Sequence, residues 1–199
     1  MKRPWQGMHP FKRLGWVTLI SLAVLAMGVV WDNWGDLVLP PKTSATEAPQ
    51  TQQASAGQIE QGRYLALAGN CMACHTTRGS APFAGGRRID TPFGGVYSSN
   101  LTPDPETGLG RWSAQDFWQA MHRGRSKNGR LLAPAFPYNH TSVITRKDSD
   151  AIFAWLNTLA PVAQAQPAHT LVWPVGTQPA LAVWRSLFFE PSPFQADKS

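Results

Sequence analysis

The spacing of apolar positions changes several times along the chain, and each change predicts a different element. From Leu14 to Trp31, eighteen residues run without a charge, and as a helix they measure about 27 Å against a hydrocarbon core of roughly 30 Å. That is the length of one membrane-spanning helix. Trp16, Trp31 and Trp34 fall near its ends, where indole rings favour the interface. From Leu39 to about Ala56 the pattern dissolves into Pro, Thr, Ser, Ala and Gln, as in Pro40-Pro41-Lys42-Thr43-Ser44, with no face to bury. This stretch reads as a linker.

Helical periodicity returns at Ile59 to Ala68, with Ile59, Tyr64, Leu65 and Leu67 among alanines and a stop at Gly69-Asn70. Ser113-Ala114-Gln115-Asp116 has capping-box form and opens a helix through Phe117, Trp118, Ala120 and Met121 that ends near Gly124. Thr145-Arg146-Lys147-Asp148 repeats that form before Ile152, Phe153, Trp155, Leu156 and Leu159, stopped by Pro161. The connections are rich in Gly and Pro, notably Gly85-Gly86 and Thr91-Pro92-Phe93-Gly94-Gly95, and read as loops. Near the end, Leu181, Val183, Trp184, Leu187, Phe188 and Phe189 form an apolar run too short to span a bilayer, suited to the membrane interface or to docking on another subunit.

The chain has 199 residues, enough for one ordinary domain with appendages. The pattern divides it into a cytoplasmic N-terminus and anchor (1–34), a Pro/Thr/Gln/Ala linker (35–57), a mainly α domain (58–162) and a tail (163–199). Of eighteen Lys and Arg residues, Lys2, Arg3, Lys12 and Arg13 precede the apolar run, so the net charge of +6 is partly a topology signal. With Asp32 and Asp36 beyond the run, they put the N-terminus in the cytoplasm and the domain outside. A cleaved signal peptide has the same order of regions, but no small-x-small site follows closely, which favours a retained anchor. No DNA-binding motif supports a nucleic-acid partner. Arg123, Arg125, Lys127 and Arg130 read as an exposed basic loop, beside which His122 sits in a solvated turn; the same charge would steer an acidic partner.

Chemistry concentrates in Cys71-Met72-Ala73-Cys74-His75, which contains the only two cysteines. Two thiols two residues apart with a histidine directly after is the spacing for covalent attachment of a c-type haem, the thiols adding to the vinyl groups and the imidazole ligating iron. A thioredoxin-like pair would sit near a βαβ pattern, and a zinc site would need a second ligand pair, whereas His122, His140 and His169 are scattered. A few helices joined by long loops suit a small core that a large apolar ligand completes.

These residues resemble the membrane-bound cytochrome c subunits that partner periplasmic alcohol, gluconate, aldehyde and nicotinate-type dehydrogenases. The matching stretches are Gly62 to Ala66, Cys71 to Thr76, Phe83 to Gly86, Thr91 to Gly94, Tyr97 to Asp104, Thr107 to Trp112, Leu132 to Tyr138 and Leu159 to Val162. The resemblance implies a class I-like cytochrome c domain behind an N-terminal transmembrane helix, carrying one covalent haem c on Cys71 and Cys74 with His75 as proximal ligand. It also implies an electron-transfer subunit rather than an enzyme. Such a subunit crosses the bacterial inner membrane once and holds its domain in the periplasm. There it takes electrons from a dehydrogenase partner and passes them to a downstream acceptor of the respiratory chain. The tail around Trp184 to Phe189 looks like the segment that leads to a second haem domain in three-haem relatives, so the chain reads as a one-haem version.

One departure bears on the iron's other side. Where many relatives have a methionine ligand, Pro134-Ala135-Phe136-Pro137-Tyr138 places a phenylalanine, which cannot bind iron. Three distal arrangements follow. His140 supplies a second imidazole, as in a variant branch with Phe at this place; or Met121 reaches in from its helix; or Phe136 covers an open position. The last would make the protein a haem-based sensor or peroxidase-like protein.

Overall fold

The computed structural model describes residues 10–38 and 54–190. Lys2 and Arg3 lie outside the described residues, as does most of the predicted linker. The first helix, α1 (Pro10–Val38), extends the predicted span by more than a turn at each end. Its window Leu14–Asn33 has mean hydropathy 2.1 and is long and apolar enough to cross a membrane. These side chains point away from the protein, except at the C-terminal end, where Asn33 is buried.

Helix α2 (Ala56–Ala68) starts three residues before the apolar pattern, because the Ser55 hydroxyl accepts from the Gln58 N–H and caps the first turn. After the one-turn helix α3 (Cys71–His75), the stretch read as loop holds an antiparallel hairpin, β1 (Arg88–Thr91) and β2 (Gly94–Tyr97), with Arg88 opposite Tyr97 and Thr91 opposite Gly94. Strands of four residues carry too little alternation to be legible in sequence.

Helix α4 (Ala114–Arg123) opens with the expected capping box: Ser113 Oγ accepts from the Asp116 N–H, and the Asp116 carboxylate accepts from the Ser113 N–H. It stops at Gly124, which sits at φ +57 with the Tyr138 ring packed where a Cβ would be. The short α5 (Tyr138–Thr141) follows, then α6 (Arg146–Leu156), capped by Thr145. Beyond it, β3 (Thr170–Leu171) adds a third antiparallel strand beside β2, and α7 (Gln178–Phe188) closes the described part.

The core forms where α2, α4 and α6 meet. Ala66, Phe83, Leu109, Phe117, Met121, Ile152, Trp155 and Leu156 make one buried cluster, with Phe83 edge-on to Trp155 at 5.2 Å. Helices α2 and α6 cross so closely that a Cβ on Gly62 would overlap the Ala151 carbonyl. That approach is why a glycine stands inside α2, where it costs helix propensity.

The tail helix α7 ties the domain to α1. The Asn33 amide donates to Ser186 Oγ at 3.2 Å and to the Ala182 carbonyl at 3.3 Å, while Arg125 donates to the Asn33 carbonyl at 3.0 Å. Arg125 is therefore buried, which corrects the expectation of an exposed basic loop; Lys127 and Arg130 are exposed. The Gln178 side chain pairs with both backbone groups of Leu131, fixing the start of α7.

Candidate haem-attachment site

The turn that carries the candidate ligands is set by its entry. Gly69 N–H bonds back to the Leu65 carbonyl and ends α2, and Asn70 at φ 53 swings the chain into α3, whose Ala73 N–H returns to the Asn70 carbonyl. Cys71 and Cys74 thus stand one turn apart on the same side, with His75 next in line. Cys71 packs against the apolar cluster and Cys74 is exposed. Burial pushes the Cys71 thiol above its ordinary pKa, a backbone hydrogen bond opposes this, and Cys74 adds slightly to it.

His75 is held from a distant segment. Its Nδ1 lies 2.8 Å from the Ser99 carbonyl, so this nitrogen donates and Nε2 is the one left with a lone pair. Burial lowers the His75 pKa, with the Ser99 carbonyl opposing, which favours the neutral form that ligates metals. The carbonyl is itself positioned. Gly85 N–H bonds to the His75 carbonyl at 2.8 Å, and Gly85, at φ +76, has no Cβ that would overlap Ser99. Gly86 N–H and Arg87 N–H bond to Ser98, and the Asn100 amide donates to the Val162 carbonyl at 2.7 Å. Asn100 Oδ1 in turn accepts from Thr102, whose hydroxyl accepts from the Val162 N–H. Asp104 takes Thr107 Oγ1 and two backbone N–H groups, which lowers its pKa. Gln164 reaches back to the Gly85 carbonyl at 3.1 Å.

In sequence, the stretch Tyr97 to Asp104 carries the resemblance without an evident task. The structure shows it as the brace of His75. The signal available is the run of Ser, Asn, Thr and Asp, residue types that lock loops through side chain to backbone bonds.

On the other side, Met121 is buried in the core cluster, and Phe136 packs partly buried against the same cluster as Cys71. His140 lies exposed on α5. Thr141 Oγ1 donates to the Met121 carbonyl at 2.6 Å, so the segments bearing the two candidate ligands are tied together. His122, expected in a solvated turn, is instead half-buried in the last turn of α4, stacked on Trp118 at 3.3 Å. Burial, then Arg123 and Arg146, push its pKa down to about 4. Among the described residues no three His, Cys, Asp or Glu side chains gather as a metal site of their own.

Two thiols one turn apart, an imidazole with its Nδ1 already engaged, and an apolar cluster against the first thiol fit a covalently attached haem. That is the arrangement of a c-type cytochrome domain. The chain is 40% identical over 187 residues to a subunit of the nicotinate dehydrogenase of Pseudomonas putida, covering 94% of this chain and 15% of that protein. It is 42% identical over 153 residues to the gluconate 2-dehydrogenase cytochrome c subunit of Pantoea cypripedii, covering 76% and 35%. It is 38% identical over 151 residues to the cytochrome c subunit of the quinone alcohol dehydrogenase of Gluconacetobacter polyoxogenes, covering 75% and 32%. The chain thus spans about a third or less of the length of these relatives. No family model matches it. The chain is a homologue of the cytochrome c subunits of dehydrogenases.

Proposed function

We propose that this chain is a membrane-anchored, periplasm-facing cytochrome c that takes electrons from a dehydrogenase partner and passes them toward the respiratory chain, with no bond-making chemistry of its own. The observation that carries the proposal is the placement of Cys71, Cys74 and His75 on one turn with His75 Nδ1 held on the Ser99 carbonyl. The names of the relatives support the same reading. In this reading the domain is class I-like, with α2 and α6 crossing beside one haem c.

When bound, haem c supplies a one-electron iron couple. Cys71 and Cys74 hold the macrocycle at fixed register. His75 would hold the metal through Nε2, and the Ser99 carbonyl fixes its tautomer and raises its basicity. Phe83, Phe117 and Trp155, buried in the core cluster, would keep water from the group. His140 would hold the iron from the other side, with Met121 as the alternative. Helix α1 supports anchoring in the bacterial inner membrane by its length and apolarity, with the N-terminus cytoplasmic and a single crossing.

The half-buried Phe136 in the methionine's place favours one second reading, an open distal position suited to a sensor or peroxidase-like protein. The two are separated by mixing the purified full-length cytochrome with gluconate, alcohol or nicotinate dehydrogenase catalytic subunits and their substrates. Fast reduction of a low-spin haem supports the electron carrier. A high-spin haem that binds carbon monoxide at once and is reduced by none of them supports the sensor.

A further inference from the structure

The side of α7 turned away from the domain is apolar throughout. Leu181 and Arg185 face inward and are buried, while Pro179, Val183 and Leu187, spaced four apart on the opposite face, are exposed. Val183 is 44% exposed, Leu187 68% and, at the helix end, Phe188 60%. The one charge in the helix, Arg185, is folded back: its guanidinium lies over the Phe189 ring at 4.3 Å and donates to the Arg123 carbonyl. No charged group interrupts the outward stripe.

What covers such a face is indicated by where α7 meets α1. The contact falls at Asn33, whose amide bonds both to the Val29 carbonyl of its own helix and to Ala182 and Ser186 of α7. Asn33 ends the apolar window Leu14–Asn33, and a window of that length matches the roughly 30 Å hydrocarbon thickness with nothing to spare. A helix hydrogen-bonded to its last residue is therefore held at the boundary between acyl chains and headgroups. Trp31 on α1 (81% exposed) and Trp173 just before α7 (86% exposed) supply the indole rings typical of that depth.

We infer that α7 lies in the outer interface of the membrane that α1 crosses, with Val183 and Leu187 in lipid, so that the domain rests on the bilayer at two points. This rests on the reading of α1 as a membrane span. It goes beyond that reading because the bonds to Asn33 tie the domain to α1 at one place, and a second contact with the bilayer through α7 fixes which face of the domain is turned toward a membrane-bound acceptor and which toward a periplasmic donor.

The test uses the full-length, haem-loaded protein in vesicles of phosphatidylethanolamine and phosphatidylglycerol, and in native membranes. A photoreactive benzophenone side chain replaces Leu187, Leu22 or Arg78 in separate proteins, and adducts are identified by mass spectrometry. The inference expects lipid adducts from positions 187 and 22, severalfold above those from position 78. Lipid adducts at 22 but not at 187 would overturn it while leaving the anchor intact, as would a position-187 adduct to another polypeptide in native membranes. Equal labelling at 187 and 78 would overturn it too. If position 22 also fails to label lipid, the span itself is refuted and the inference goes with it.

Discussion

The Nδ1 of His75 and the carbonyl of Ser99 stand 2.8 Å apart across 24 residues of chain, joined because Gly85 lets the segment at Ser99 approach. The hydrogen bond fixes which imidazole nitrogen is available and makes that nitrogen more basic. Two pieces of the motif pattern that look independent in sequence, Phe83 to Gly86 and Tyr97 to Asp104, thereby serve one histidine.

Gly85→Ala tests this directly. A Cβ at φ +76 is strained by about 1 to 3 kcal/mol, and it would push the Ser99 carbonyl away from His75. We expect a lower thermal midpoint together with a higher haem reduction potential, because a weaker imidazole donor stabilises ferric iron less. Spectroelectrochemical titration reads the second effect. A variant that is destabilised at unchanged potential would show that Ser99 braces the loop and does not tune the histidine.

The sixth ligand is read by two substitutions. With His140 on the iron, the ferric protein is low-spin and lacks the near-infrared band of methionine sulfur. His140→Ala then opens a site that binds carbon monoxide on reduction, while Met121→Ala costs about 2 to 5 kcal/mol of stability as a buried side chain and leaves the spectrum in place. The opposite pair of results assigns Met121.

Gly62→Ala should weaken the helix crossing without touching the haem turn, since the added methyl meets the Ala151 carbonyl. Overpacking of this kind costs about 1 to 3 kcal/mol, measured as a loss in the chemical denaturation midpoint. An unchanged midpoint would mean that α2 and α6 can separate at no cost.

A pH dependence follows from His169, whose Nδ1 accepts the Tyr97 N–H at 3.1 Å. Burial, then Arg130, lower its pKa from 6.5. Below pH 6.5 the unfolded chain takes up a proton that the folded chain resists, so stability falls as pH drops through that value toward the folded one and is unaffected above it. The effect is small because His169 is only partly desolvated and much of the residue stays exposed to water. His169→Asn keeps an acceptor and should flatten this part of the profile in melts recorded above and below pH 6.5; an identical slope in both proteins would remove His169 as its source.

Much of this was legible in the chain because it rests on local pattern. The apolar run of α1, the capping box at Ser113 and the Thr145 cap involve neighbours within one or two turns, and each lies near its predicted place. The features that escaped depend on partners far away in sequence. Arg125 looks solvated beside Lys127 until Asn33 is brought against it from the other end of the chain. The hairpin depends on Gly94, at φ +118, lying against Thr170 across the sheet. The carbonyl that holds His75 belongs to the backbone of Ser99, so residue identity marks the contact only indirectly, through Gly85 and the loop-locking Ser, Asn, Thr and Asp that follow.

The central claim is covalent haem on Cys71 and Cys74, and it is tested most directly by denaturing gels stained for haem, run on the full-length chain from the membranes of a cytochrome c-maturing bacterium. The account predicts a haem-positive band for the natural chain and none for Cys71→Ala with Cys74→Ala at equal protein. A haem-positive band from the double variant, or its absence from the natural chain, would contradict it.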